Sequence, residues 1–298
     1  MKADFLGARA SNTGDDFHEW WALRSALRLL LPHSELTAVS VEGVNLDKDI
    51  GEGISQWDAV DCGLYFGGTT IEKSAEIIFE QLKYSSATPN KAWTVSELIR
   101  SKSKSKNNSI IKGLADSFIA VKKLRPDLIK NNKLTISLVS NRPIGLDLEK
   151  SLNNKAPLKY EKLRVASSLN KPDFKKFIKL FDYTNCGTGS RFEQEEKAII
   201  EILNISHSTT RGFVLDMKDR VHRLMLPEGT GESITKETIL SWMNVSDPRS
   251  LFPCPQRLKP VQSLVERSVA TKIFDTMQSG KQYIYIHGEG GCGKTTIL

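Results

Sequence analysis

Apolar and polar residues alternate in four segments of the first half of the chain, and this pattern predicts β-strands. These segments are rich in β-branched and aromatic side chains and cover residues 36–44, 60–66, 75–84 and 133–140. The second segment ends at Gly67 and Gly68, a pair that interrupts a strand. We therefore expect a sheet that contains these four strands.

Helical periodicity precedes and separates the predicted strands. The apolar positions 17, 20, 21, 23, 27, 30 and 31 share one face of a helix that Pro32 ends, and Asp15 or Asp16 is placed to cap its start. Residues 94–97 have the pattern of a capping box, which predicts a short helix, and a longer helix is expected over 110–124. This order of elements predicts an α/β fold with a sheet flanked by helices.

The second half of the chain is predicted to contain a helical part, a linker and a last strand. Helical spacing covers residues 157–242, and four prolines between 248 and 260 indicate a linker. The run QYIYIH at 282–287 predicts the strand. We expect a core over 1–150, a mainly helical part over 151–246, a linker over 247–265 and the start of a further domain over 266–298.

A glycine-rich motif follows the last predicted strand. Residues 288–295 read GEGGCGKT and match the phosphate-binding pattern G-x-x-x-x-G-K-[ST]. In such a loop backbone N–H groups face phosphate oxygens, the lysine neutralises phosphate charge and the threonine holds Mg²⁺. The expected ATP-binding residues are Gly288, Gly291, Gly293, Lys294 and Thr295. Because only three residues follow the motif, we expect the nucleotide site to need further sequence and this chain not to hydrolyse ATP.

The composition narrows the class of protein. Hydrophobic residues make up 39% and charged residues 26% of the chain, which excludes collagen-like, mucin-like and wholly disordered proteins. No apolar run approaches the roughly 20 residues of a membrane span, and the first residues lack the apolar core of a secretion signal. The four cysteines form no C-x-x-C pair, so we expect a cytoplasmic location and no structural zinc.

Charge is distributed unevenly along the chain, whose net charge is +7. Residues 101–180 carry 19 lysines and arginines against 6 aspartates and glutamates, whereas residues 1–100 carry 9 against 15. The basic part indicates contact with a polyanion, and a solvated lysine-rich surface is the alternative. If the polyanion is DNA, the residues expected to contact its phosphates are Lys102, Lys104, Lys106, Lys122, Lys123, Arg125, Lys130 and Lys133.

Polar residues on the predicted second and third strands form a candidate metal site. Since side chains alternate along a strand, Gln81 and Lys83 share one face, and pairing of the two strands would bring Asp61 close to both. A carboxylate, an amide oxygen and the Leu82 carbonyl suit Mg²⁺, and Lys83 can orient the attacking water or offset phosphate charge. This combination is typical of a metal-dependent phosphodiesterase.

Three further acids are candidates for the same site. Asp58 lies three residues before Asp61 and is an alternative metal ligand. Glu19 lies on the first predicted helix, from which it either reaches the metal and assists catalysis or faces solvent. Glu42 ends the first predicted strand, and a turn residue before Gly43 is its favoured interpretation. None of the five histidines has metal-ligand spacing, so none is expected to be catalytic.

Five segments of the chain, taken in order, resemble a known nuclease domain. The runs GDDFHEWWALRSAL, VSVEGVN, WDAVDCGLYF, FEQLKYSS and LTISLVSNRPI resemble the Cap4-type double-stranded DNA endonuclease domain. That domain belongs to the PD-(D/E)xK superfamily, in the variant with glutamine at the third motif position. The resemblance covers about residues 10–245 and matches at Gln81, Lys83 and, best among the aspartates, Asp61. It implies a restriction-endonuclease-like mixed sheet and Mg²⁺-dependent cleavage of double-stranded DNA with little sequence specificity.

A P-loop that follows such a nuclease resembles the Avs-type antiviral STAND NTPases of bacterial defence. This second resemblance implies ATP binding in the full-length protein, a homo-oligomer on activation and a phage-derived trigger. The competing hypothesis is a non-catalytic nucleic-acid- or protein-binding module that regulates a P-loop ATPase. Salt-sensitive DNA binding without metal dependence would favour that hypothesis.

Overall fold

The computed structural model describes residues 6–47, 56–101, 108–205, 210–226, 228, 232–246, 251 and 268–280. The chain divides into two compact units, Met1–Pro253 and Cys254–Leu298. The first unit contains the sheet and ten of the helices described below. The second contributes one described helix.

The first unit is built on a six-stranded mixed sheet. Its strands are β1 (Leu36–Val41), β2 (Cys62–Phe66), β3 (Glu76–Lys83), β4 (Leu134–Ser140), β5 (Phe181–Asp182) and β6 (Ile234–Thr235). The order across the sheet is β5-β4-β3-β2-β1-β6. Strands β3, β4 and β5 are parallel, whereas the pairs β2–β3, β1–β2 and β1–β6 are antiparallel. The predicted α/β class with a mixed sheet is therefore confirmed.

Helices cover both faces of the sheet. Those of the first unit are α1 (Leu6–Leu27), α2 (Val95–Ile99), α3 (Ile110–Leu124), α4 (Pro126–Lys130), α5 (Leu146–Leu152), α6 (Pro157–Ser167), α7 (Lys171–Leu180), α8 (Arg191–Ile205), α9 (Arg211–Met225) and α10 (Lys236–Trp242). A 3₁₀ turn at Arg28–Leu30 extends α1. In the second unit, α11 covers Ser268–Gln278.

Strand alternation distributes the apolar side chains between two cores. On β2, Tyr65 belongs to the core that contains α3, α6 and α7, whereas Cys62 and Leu64 belong to the core with α1, α8 and α9. On β3, Phe79 lies in the first core, and Leu82 packs beneath α1. Because both faces are covered, the sheet is a rigid platform for residues at its strand ends.

The start of α1 differs from the prediction. The helix begins at Leu6, so Asp15 and Asp16 lie inside it and neither is the cap. The carboxylate of Asp16 instead forms ion pairs with Arg191 of α8 and Lys218 of α9. These tertiary contacts favour a helical aspartate where local propensity favoured a helix start.

The remaining predictions agree with the described elements in type, with two exceptions in the second half. The capping box at Thr94 and the helix over 110–124 are present. Strands β5 and β6 interrupt the helical part, but each has two residues, too few for a recognisable period. Most of the linker over 247–265, the strand over 282–287 and the glycine-rich motif lie outside the described residues.

Among the described residues, no helix combines the length and apolar character that crossing a membrane requires.

A buried ion pair joins α2 to the loop after β4. Arg142, 7% exposed, donates to Glu97 Oε1 at 2.9 Å, and its guanidinium carbon lies 4.3 Å from the centroid of Trp93. Burial alone would raise the pKa of Glu97, but hydrogen bonds from Arg142, Lys91 and Thr94 outweigh it and lower the pKa to about 2. The charged form of Glu97 therefore stabilises the fold above its ordinary pKa.

We predict that Glu97→Gln lowers the free energy of unfolding at pH 7 by about 2 kcal/mol, since Arg142 then stays buried without its counter-charge. The contribution of Glu97 is complete above its ordinary pKa of 4.5 and is lost as pH falls toward its folded-state pKa of about 2. Urea unfolding of both proteins from pH 7 to pH 2 should show the difference shrinking on acidification. Exposed Glu149→Gln is the control, and a difference that is constant with pH would contradict the assignment.

Candidate metal centre

The backbone N–H and C=O of Leu82 lie beyond the end of the antiparallel ladder of β2 and β3. That ladder runs from Phe66 opposite Glu76 to Cys62 opposite Glu80. Beyond it, the Leu82 N–H donates to Asp61 Oδ2 at 2.6 Å, and the Leu82 carbonyl accepts from Lys83 Nζ at 2.8 Å. Polar side chains thus occupy the place of a strand partner, and they form the centre of the candidate site.

Asp61 and Lys83 meet at this point, as the spacing predicted. Lys83 Nζ lies 3.4 Å from Asp61 Oδ2, and the Asp61 carboxylate is buried while the lysine is partly exposed. The Asp61 N–H also donates to the carbonyl of Glu80 at 3.0 Å, which fixes the backbone on which this carboxylate stands. A buried carboxylate beside one ammonium group results.

Gln81 lies between the two residues whose backbones bond Asp61. It is 7% exposed, and its Oε1 has no hydrogen-bond donor among the described residues. An amide oxygen that is buried without a partner destabilises a fold by about 1–3 kcal/mol, so such atoms call for an explanation. A cation held by oxygen ligands is one explanation that fits the chemistry of the neighbouring groups.

His18 and Glu42 join the same group, although sequence reasoning gave His18 no role and favoured a turn role for Glu42. His18 Nε2 lies 3.1 Å from the Leu82 carbonyl oxygen, and His18 Nδ1 lies 3.3 Å from Glu42 Oε1. One potential ligand atom from each of His18, Glu42 and Asp61 lies within 4.8 Å of the others. The sequence signal for Glu42 was its position directly after β1, the strand that pairs with β2. In the structure the Glu42 N–H donates to the Asp61 carbonyl.

Glu19 is not part of this group, which corrects its assignment as a catalytic residue and metal ligand. Its carboxylate faces α9, where it lies 2.7 Å from His222 Nδ1 and 2.8 Å from Lys218 Nζ. Successive residues of a helix point about 100° apart, so His18 and Glu19 face different neighbours. The rotation of α1 selects His18 for the strand end.

Asp58, the alternative ligand, lies on a neighbouring cleft. The residue is exposed and lines a cavity of about 310 Å³ together with Glu42, Gly43, Trp57 and Val60. Because Glu42 belongs both to this cleft and to the group around Asp61, the cleft offers a path from solvent to that group. Asp61 rather than Asp58 is the aspartate in contact with Leu82 and Lys83.

Burial controls the electrostatics of the site. It raises the pKa of Asp61, and electrostatic interactions with Lys83 and His18 oppose this shift. Burial also raises the pKa of Glu80 to about 7, against a hydrogen bond from Trp21 and the charge of Arg28. A cation near Asp61 would compensate the desolvated carboxylate.

The basic residues expected to contact DNA are only partly available. Lys122 pairs with Asp173, Lys133 pairs with Glu76, and Arg125 donates to Asp127 and to three backbone carbonyls. Lys123 and Lys130 are exposed. The positions Lys102, Lys104 and Lys106 and the motif residues Gly288, Gly291, Gly293, Lys294 and Thr295 lie outside the described residues.

No protein-family model and no curated protein matches this chain. The chain is similar to three solved structures of the Acinetobacter baumannii Cap4 SAVED/CARF-domain containing receptor, two of them with the cyclic trinucleotides 3'3'3'-cAAA and 2'3'3'-cAAA. Identity is 13% in each case. The TM-score is 0.41 for the 3'3'3'-cAAA complex, 0.42 for the 2'3'3'-cAAA complex and 0.41 for the third structure.

The similar region covers 76%, 76% and 80% of this chain but 43%, 44% and 46% of those chains. The chain therefore spans less than half the length of the receptors that it matches. At this identity and TM-score the likeness does not indicate an activity.

Proposed function

We propose that the first unit is a metal-dependent endonuclease that hydrolyses phosphodiester bonds of double-stranded DNA. The observation that carries the proposal is the contact of a buried carboxylate with an ammonium group at the end of one strand ladder, where the neighbouring residue of the strand has an unpartnered buried amide oxygen. These groups belong to Asp61, Lys83 and Gln81. Because they are the candidate triad expected from the sequence, pattern and geometry support the same chemistry.

The donor set suits a hard divalent cation such as Mg²⁺. Asp61 would hold it through a carboxylate oxygen, Gln81 through Oε1 and Leu82 through its carbonyl, all of which are oxygen ligands. A bound divalent cation supplies Lewis-acid stabilisation of the charge that develops on a phosphate during hydrolysis. The unpartnered Gln81 Oε1 is the atom that most needs such a partner.

Lys83 has the position required of an electrostatic catalyst. Its ammonium group is held by the Leu82 carbonyl and lies beside Asp61, while part of the side chain reaches solvent. From there it can donate to a phosphate oxygen or orient the attacking water, and both roles stabilise the transition state more than the ground state. The backbone of Lys83 is fixed because β3 is paired with β4 as far as this residue.

Double-stranded DNA is the proposed substrate because the basic segment supplies charge without base-reading groups. Lysines such as Lys123 and Lys130 neutralise phosphates and carry little sequence information, which agrees with cleavage of low specificity. The wider setting belongs to the same proposal: an antiviral effector, a P-loop ATPase that binds ATP, a homo-oligomeric active form and a phage-derived trigger.

We predict that the chain cuts supercoiled plasmid DNA with Mg²⁺ or Mn²⁺ and that excess EDTA abolishes cutting. Lys83→Ala and Asp61→Asn should each lower the cleavage rate at least about 100-fold, because each removes charge from the reacting centre. The exposed Lys150→Ala is the matched control and should cut like wild type. The same assay is run on a fusion to a dimerising helix, which supplies the association that the proposal expects of the active form.

Full activity in Lys83→Ala would contradict the catalytic assignment. Absence of metal-dependent cutting in both the chain and its dimerised fusion would contradict the nuclease proposal. Salt-sensitive DNA binding that needs no metal would then favour the non-catalytic module.

Glu19→Gln separates the ion pairs of α1 with α9 from the candidate metal site. Since Glu19 binds Lys218 and His222 rather than the Asp61 group, we predict a loss of about 1–3 kcal/mol in unfolding free energy and less than a twofold change in divalent-cation affinity. Asp61→Asn should instead lower cation affinity strongly. Calorimetric titration and thermal unfolding of both variants check this, and an equal loss of cation binding in Glu19→Gln would return Glu19 to the site.

A further inference from the structure

The imidazole of His18 is held in a fixed place at the end of β3. Its neighbours Phe17 and Trp21 pack with Leu82 and Val139, and the Phe17 ring lies 5.1 Å from the ring of Tyr84. His18 itself is mostly buried, with 17% of its side chain exposed. The packing of its neighbours in the core therefore holds the His18 ring in place.

Both ring nitrogens of His18 face oxygen atoms of the candidate site. Nε2 approaches the Leu82 carbonyl, which already accepts from Lys83, and Nδ1 approaches Glu42 at 3.3 Å. Two ligands of one cation with bonds of about 2.0–2.2 Å are at most about 4.4 Å apart. The separations of up to 4.8 Å among His18, Glu42 and Asp61 are within a few tenths of an ångström of that limit.

A second, independent observation concerns Gln81, which neighbours this group on β3. Gln81 Oε1 is buried and receives no hydrogen bond among the described residues. The flanking residues Glu80 and Leu82 are both bonded to Asp61 through their backbones, so Gln81 is the residue of β3 between these two contacts. The unpartnered oxygen thus belongs to a residue whose two neighbours on β3 both contact the aspartate of the three-residue group.

The donor set of this location is mixed. Carboxylate, amide and carbonyl oxygens suit Mg²⁺, Ca²⁺ and Mn²⁺ alike, but imidazole suits transition metals and is a poor ligand for Mg²⁺. An imidazole held at 3.1 and 3.3 Å from two of the oxygens adds a nitrogen ligand to an otherwise oxygen shell. Such a site distinguishes metals that an all-oxygen nuclease site would accept equally.

We infer that His18 and Glu42 complete the cation site of Asp61 and Gln81 and that the resulting nitrogen–oxygen shell selects Mn²⁺ over Mg²⁺. The inference rests on the metal site of the proposed function and adds to it the identity of the metal and two ligands. Glu42 supports the assignment because it lines the cleft through which a cation can enter.

Calorimetric titration of the 298-residue chain with Mn²⁺ and with Mg²⁺, without nucleotide, tests the selectivity. Wild type should bind Mn²⁺ at least about 10-fold more tightly than Mg²⁺, and His18→Asn should lose at least about 10-fold in Mn²⁺ affinity. His18→Asp restores an all-oxygen shell and should bring the two affinities together. His33→Asn is the control: that histidine is exposed at φ 64°, a conformation that asparagine tolerates.

Pulsed electron paramagnetic resonance of the Mn²⁺-loaded chain provides a readout independent of activity. A ¹⁴N coupling to Mn²⁺ should be present in wild type and His33→Asn and absent in His18→Asn. If His18→Asn does not fold, Glu42→Gln serves as the second variant and should weaken Mn²⁺ binding while the ¹⁴N coupling persists. Equal Mn²⁺ and Mg²⁺ affinities without a ¹⁴N coupling would overturn the inference.

Plasmid cleavage by the same samples separates this inference from the proposed function. A ¹⁴N-coupled, His18-dependent Mn²⁺ site in a chain that cuts no DNA, alone or dimerised, would support the inference and contradict the nuclease. Cutting that proceeds equally with Mg²⁺ and is unaffected by His18→Asn would support the nuclease and overturn the inference.

Discussion

The peptide group of Leu82 is the constraint around which the candidate site is arranged. Buried backbone N–H and C=O groups need partners, and at Leu82 the ladder of β2 and β3 has already ended. The carboxylate of Asp61 takes the N–H, while Lys83 and His18 approach the carbonyl. The same requirement that normally extends a sheet therefore gathers an acid, an amine and an imidazole at one strand end.

Tertiary packing decides which residues reach this point. The antiparallel β1–β2–β3 order brings Glu42, Asp61 and Gln81 to one edge of the sheet, because Glu42 follows β1, Asp61 precedes β2 and Gln81 lies near the end of β3. Contacts of α1 with α8 and α9 fix the rotation of that helix, and the pairs of Asp16 and Glu19 with Lys218 are part of them. Once these pairs form, His18 faces Leu82 and Glu19 cannot.

Sequence pattern was sufficient for the four central strands and for the meeting of Asp61 with Lys83, because both depend on period-two alternation and on pairing of consecutive strands. It was insufficient for His18 and Glu19, since helical periodicity gives the apolar face but not which polar neighbour meets a distant strand. Strands β5 and β6 were missed because two residues carry no period. The cap expected at Asp15 or Asp16 was wrong because ion pairs with Arg191 and Lys218 hold that segment in a longer helix.

The central claim is that Asp61 and the unpartnered Gln81 oxygen share one bound cation. The most direct measurement is a crystal structure of the chain grown with Mn²⁺, with the metal located by its anomalous scattering. The account predicts one strong peak about 2.2 Å from Asp61 and Gln81 oxygens, with the Leu82 carbonyl and His18 beside it. An anomalous peak at another position, together with a Gln81 amide that hydrogen-bonds only to protein or water, would contradict the account.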